Sequence, residues 1–168
     1  MKNYILFTLS FLFLSMNGYS QDAPEKQSVL ITKISASWCP PCGGWGWTAF
    51  HDLVADNDDN ATLLAVHHSG DLLTPTSDAF SENLDAPYQP WFFVNNTDQG
   101  INSSNAADKR TEIKNQVDMA ATTAPIVNTG ILATTDNNEI TVTTKTRFFQ
   151  DADANYFLGI YLVEDGRV

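Results

Sequence analysis

The chain reads as an α/β domain followed by a β-rich segment, and three observations carry that reading. Between residues 29 and 121, short runs of branched and aromatic residues alternate with stretches whose apolar positions recur at helical spacing. Beyond Pro125 the apolar residues alternate with polar ones, over runs separated by turn-forming Asp and Asn. Cys39-Pro40-Pro41-Cys42 stands where the first strand-like run gives way to the first helical one, and its cysteines are the only two in the chain.

Taken in order, Met1-Lys2, an apolar stretch at 4–14 and the small residues Gly18 and Ser20 have the layout of a secretory signal peptide over residues 1–20. Its apolar core is too short to span a bilayer. No cysteine stands at the cleavage point to take a lipid, and no later stretch is apolar for long enough to cross a membrane. The mature chain is therefore expected to be exported, with no transmembrane helix. Residues 21–28, polar with one proline, read as a linker.

Residues 29–34, Val-Leu-Ile-Thr-Lys-Ile, read as a buried strand. Trp47, Phe50, Leu53 and Val54 fall at helical spacing after it, which places Trp47 in the core, and Asp56-Asn57-Asp58-Asp59-Asn60 stops that helix. The glycines around Trp45 and Trp47 cost about 1 kcal/mol each in a helix interior, so its first turn is expected to be loosened or kinked, with Trp45 either packed or lining a groove. Residues 61–68 form a second strand, and Pro75 opens a short helix containing Phe80 and Leu84. Ala86-Pro87-Tyr88-Gln89-Pro90 leads into an apolar strand at 91–94; a polar loop at 95–104 then precedes a helix over 106–121 with Ile113 and Val117 on its inner stripe. Strands are expected at 126–134, 139–149 and 156–164. Three strands do not make a sandwich and the sequence stops in Asp165-Gly166-Arg167-Val168, so the β-rich segment 125–168 is expected to be incomplete or to pair with another chain.

With 9 basic and 20 acidic residues the formal charge is -11, which argues against nucleic acid as a partner. The acidic residues are scattered, as on a well-solvated surface. The chemistry concentrates at the CxxC. Two residues between the sulfurs allow a small disulfide ring, and a cysteine at a strand-to-helix junction faces unsatisfied helix N–H groups that acidify it to roughly 3.5–7.5 from about 8.5. Cys39 is thus the expected nucleophile and Cys42 the resolving thiol, with Trp38, Pro40 and Pro41 flanking them. Cys39, Cys42, His67 and His68 are also the ligand types of a zinc centre, but adjacent strand histidines point to opposite faces, and no metal is expected. The acidic run at 56–60 opens like a calcium loop, yet Ala61 and His67 replace the glycine and glutamate such a loop needs.

On Trp38-Cys39-Pro40-Pro41-Cys42, and on Pro90 standing where that family has a cis-proline, residues 29–121 resemble the thioredoxin superfamily. The Trp-Cys-Pro-Pro-Cys form is similar to that of its exported thiol-disulfide oxidoreductases. A closer likeness is to the outer-membrane-protein-28-related family, through Ala65-Val66-His67-His68-Ser69-Gly70-Asp71 and the apolar Leu158-Gly159-Ile160-Tyr161-Leu162-Val163-Glu164-Asp165-Gly166. The resemblance implies a thioredoxin-like three-layer fold over 29–124, a central mixed sheet flanked by helices, followed by the start of a β-sandwich over 125–168. It implies a periplasmic, outer-membrane-associated or secreted protein that exchanges disulfides with protein thiols of the cell envelope, its only redox group being the Cys39–Cys42 disulfide. It also implies that Pro90 sits opposite the disulfide and presents the Gln89 backbone to an extended substrate. Six residues before Cys39, where thioredoxins bury an acid, stands Lys33. Lys33 either reaches solvent or supports the thiols as a buried ammonium or amine. A second class of function stays open, a non-catalytic envelope-assembly module whose CxxC is a structural disulfide.

Overall fold

A computed structural model of the protein describes residues 22–164. The expected signal peptide, the first linker residue and the last four residues lie outside the described residues. The elements run β1 (Val29–Ala36), α1 (Pro40–Gly43), α2 (Trp45–Asn57), β2 (Ala61–Ser69), α3 (Pro75–Leu84), β3 (Trp91–Val94), β4 (Thr97–Asp98), α4 (Ala106–Ala121), β5 (Val127–Asp136) and β6 (Glu139–Phe148). The first four strands form a mixed sheet in the order β2-β1-β3-β4, and β5 and β6 form a second sheet. β1 pairs parallel with β2 and antiparallel with β3, and β3 turns back antiparallel onto β4.

β1 is central because both its faces are covered. Side chains alternate across a strand, so Val29 and Ile31 join Phe92 and Val94 on one face, beneath Leu53 of α2 and Ile113 and Val117 of α4. Ile34, Phe93 and Val66 are buried on the other, against Phe80 and Leu84 of α3. Phe92 and Ile31 are fully buried, and each such side chain contributes about 1.5–3 kcal/mol. Arg110 of α4 clamps α2 by pairing with Asp52 at 3.1 Å and with Asp56. That bond holds the Asp56 carboxyl below its usual range and the guanidinium above its own. At α3, Pro75 takes the first position while Thr74 and Ser77 exchange side-chain-to-backbone bonds, Ser77 N–H donating to Thr74 Oγ1 at 3.0 Å and Thr74 N–H to Ser77 Oγ at 2.9 Å.

The structure meets one expectation of the sequence reading and departs from it at Trp47, at β4 and over 156–164. The loosening expected from the glycines takes the form of a break at Gly44, whose ψ of -113 lies outside the helical region and divides the stretch after the CxxC into α1 and α2. Two apolar stripes overlap on α2, Trp47-Phe50-Val54 and Trp45-Ala49-Leu53; the second faces the sheet, and Trp47, expected in the core, is 40% exposed and packs against His51 with ring centroids 4.2 Å apart. β4 lies within the stretch read as a polar loop; Asn95 and Asn96, at φ 46° and 66°, make the two-residue turn that returns the chain to β3. No strand forms over 156–164, so the three expected β runs reduce to the β5–β6 hairpin.

That hairpin turns through Asn137-Asn138 with the same left-handed pair of angles, φ 45° and 66°. Its register places Val127, Ile131, Ala133, Ile140, Val142 and Phe148 on one face and Asn128, Lys145 and Arg147 on the other. The polar face carries the segment before β1: Asn128 Nδ2 donates to the carbonyls of Pro24 and Lys26 at 3.0 and 2.8 Å, Lys145 pairs with Asp22, and Arg147 pairs with Glu25 at 3.3 Å. The Asp22 carboxyl is lowered by its bond to Lys145. The apolar face stays largely exposed. Among the described residues, no helix is long and apolar enough to cross a membrane.

Candidate functional site

The site sits at the C-terminal end of β1, where the strand hands the chain to α1. Cys39 and Cys42 are joined in a disulfide, with Cα atoms 5.3 Å apart. Cys39 caps α1 with extended backbone angles; its Sγ accepts the Cys42 N–H at 3.2 Å, while Pro40 and Pro41 fill the first two helical positions and need no N–H partner. α1 has only four residues and two of them are prolines, so of the helix N–H groups expected to face Cys39 the one that reaches its sulfur is that of Cys42.

β3 begins at the same sheet edge because it runs antiparallel to β1. The residues just before it therefore meet the disulfide: the Gln89 carbonyl oxygen lies 3.9 Å from Cys39 Sγ. The Gln89–Pro90 peptide is cis. Pro90 itself is fully buried, and its ring lies so close to Gly46 that a Cβ there would stand 2.7 Å from Pro90 Cγ. The Gln89 side chain is held by His68, Nε2 to Oε1 at 3.0 Å. Trp38 is 60% exposed, its indole N–H donating to Ser69 Oγ at 3.1 Å, and Pro40 and Pro41 are exposed beside it. The sulfurs lie beneath this collar, Cys39 at 6% and Cys42 at 3% exposure.

Lys33 does not reach solvent. It is 3% exposed, its Nζ donates to the Cys42 carbonyl oxygen at 3.0 Å, and the rings of Trp47 and Phe50 lie 5.8 and 5.6 Å from it. Burial pulls its pKa down to about 8. His67, on the same sheet face because Ser35 opposite it and Lys33 point the same way, has a buried Nδ1 with no hydrogen-bond partner among the described residues. Burial first, then the charge of Lys33 and then that of His68, lowers the His67 pKa and favours its neutral form.

All eight residues singled out in the sequence thus gather around one disulfide, as sulfurs (Cys39, Cys42), collar (Trp38, Pro40, Pro41), opposite loop (Gln89, Pro90) and floor (Lys33). His68 turns away from the sulfurs toward Gln89, and among the described residues no group of three or more His, Cys, Asp or Glu is placed to hold a metal ion. Sequence reasoning missed Ser69, Tyr88 and Gly70. Tyr88 is exposed beside Gln89, and only its place in Pro87-Tyr88-Gln89-Pro90 pointed to it. Gly70, at φ +87°, leaves no room for a Cβ, which would fall 2.2 Å from Ser37 Oγ; Ser37 in turn accepts the Asp71 N–H at 3.0 Å and fixes the loop under Trp38.

Fold and site together define a mixed α/β protein with a CxxC disulfide at the edge of a four-stranded sheet and a β-rich second part. No protein-family model matches the chain, and no curated protein matches it. Among solved structures it is similar to HBP35 of Porphyromonas gingivalis, at 17% identity and a TM-score of 0.59, over 76% of this chain and 44% of that one. The chain thus spans less than half of that protein's length, and at this identity the likeness speaks for the fold alone.

Proposed function

We propose that the protein is an exported thiol-disulfide oxidoreductase of thioredoxin-like fold, related to the outer-membrane-protein-28 group and acting on protein thiols and disulfides of the cell envelope. The observation that carries the reading is the Gln89 carbonyl facing Cys39 Sγ at 3.9 Å across a collar of exposed Trp38, Pro40 and Pro41. An extended polypeptide laid along that loop brings a cystine to the Cys39 sulfur. In the reduced protein the Cys39 thiolate attacks the partner's disulfide and one partner sulfur leaves as thiolate. Cys42 then attacks Cys39, the mixed disulfide breaks, and the second partner sulfur leaves. The reverse sequence oxidises a partner dithiol. Cys39→Ser should abolish insulin reduction and thiol oxidation alike; an unchanged rate would sink the reading.

A second reading, a binding or assembly module with a structural disulfide, is favoured by the burial of both sulfurs and by the exposed apolar face of β5–β6. A reduction potential below about -300 mV supports this one, and a value in the range of known exchangers supports the first.

A further inference from the structure

Lys33 is a buried amine that, among the described residues, has no carboxylate paired with it. A buried ammonium is costly unless it is paired. The groups that face it are Cys42 from α1, the Trp47 and Phe50 rings from α2, with His51 stacked behind Trp47, Phe92 beside it in register on β3, and His67 from β2. None of these is an anion while the disulfide is closed. Its one hydrogen bond ends on the backbone of the residue whose sulfur becomes ionisable when the ring opens.

We propose that Lys33 is the counter-charge of the thiolate that opening the Cys39–Cys42 bond creates, so that reduction of the disulfide carries a proton onto Lys33 Nζ. Above about pH 8 the amine of the closed form is mostly neutral, its burial favouring loss of the proton. A partner dithiol then reduces the ring: the Cys39–Cys42 bond breaks, a disulfide forms in the partner, and the partner gives up two protons. One remains on a site thiol; the other moves to Lys33, leaving a thiolate and an ammonium whose charges cancel. In that pH range the neutral floor of the closed site becomes a charged pair; below it the ammonium is already present and the new thiolate supplies its missing partner, and in both cases the pair stabilises the reduced state. Lys33 acts through the sulfurs without touching a substrate, as a positioning and charge-setting residue. The proposal deepens the exchange reading, on which its partner dithiol rests.

The test follows the Lys33 side chain by NMR in the whole chain, oxidised and then chemically reduced, with Lys33→Gln identifying its signal. The Lys33 midpoint is expected to rise on reduction by a unit or more, about tenfold in proton affinity. Lys33→Gln keeps a donor for the Cys42 carbonyl but no charge. It should raise the pH of thiolate formation, read by ultraviolet absorbance, and shift the glutathione equilibrium about tenfold toward the disulfide. Lys33→Met should do the same. A Lys33 midpoint equal in both redox states, or a Lys33→Gln protein with wild-type thiol titration, overturns the proposal and leaves Lys33 a structural hydrogen-bond donor. Because the NMR titration uses a chemical reductant, a protein inert toward insulin whose Lys33 midpoint still rises refutes the proposed enzyme and upholds the proton coupling; an active protein with a fixed midpoint does the opposite.

Discussion

Both sheets place branched residues on one face of a strand, yet Ile31 of β1 is fully buried while Ile131 of β5 is 49% exposed. In the four-stranded sheet, helices α2 and α4 cover one face and α3 covers the other. In the hairpin, the covered face is the polar one, where Asp22, Glu25 and two backbone carbonyls engage Lys145, Arg147 and Asn128. Alternation therefore settles which side chains share a face, and the neighbouring elements settle whether that face is core. It follows that stability and chemistry belong to the first sheet.

The sharpest way to break that contrast is a matched truncation in the two sheets. Phe92→Ala should cost about 3–5 kcal/mol, whereas Ile131→Ala should stay within about 0.5 kcal/mol, both read by urea unfolding. Equal losses would show that the hairpin's apolar face is covered in solution. A second effect tests how completely the first sheet excludes water. Burial puts Lys33 at about 8 in the folded oxidised protein against an ordinary 10.5, so between these values the unfolded chain binds more protons. Stability then rises with pH across that window, and at lower pH it carries the whole penalty, about 3 kcal/mol. Unfolding midpoints measured near about pH 7 and about pH 9.5 should diverge in wild type and converge in Lys33→Met; a wild type with no slope refutes this.

A smaller loss, about 1–3 kcal/mol, is expected for Gly46→Ala, whose Cβ meets Pro90 and the Pro41 carbonyl oxygen, 3.1 Å away. A melting temperature equal to wild type would mean that α2 and Pro90 separate at no cost. The least effect belongs to the hairpin's tether. Lys145→Ala with Arg147→Ala should leave the main unfolding transition in place and speed amide exchange in β5 and β6 alone, because these ion pairs are exposed.

The same contrast accounts for what the sequence made legible. β1, β2, β3, α3 and α4 were readable because periodicity and Pro75 act locally, and the site was readable because CPPC and Pro90 mark the two chain segments that the β1/β3 pairing brings together. Trp47 was misplaced because α2 carries two overlapping apolar stripes, Trp47-Phe50-Val54 and Trp45-Ala49-Leu53, and periodicity alone does not say which of them the sheet covers. β4 hid behind a polar composition although Asn95-Asn96 carried its turn signal. The run at 156–164 has strand composition, but composition alone does not build a ladder, and no strand forms there. Whether Lys33 would be buried depended on α2 arriving over it, a tertiary fact invisible in the residues around it.

Pro40 and Pro41 lock two consecutive φ angles between the sulfurs, each near about -65°. The intervening backbone can relax little when the covalent tie is cut, so the loop retains in one oxidation state the shape it has in the other. Re-closure then begins with both reactants already in place, at an effective molarity that a limp spacer could not maintain. The ring behaves as a latch that remembers where its catch is.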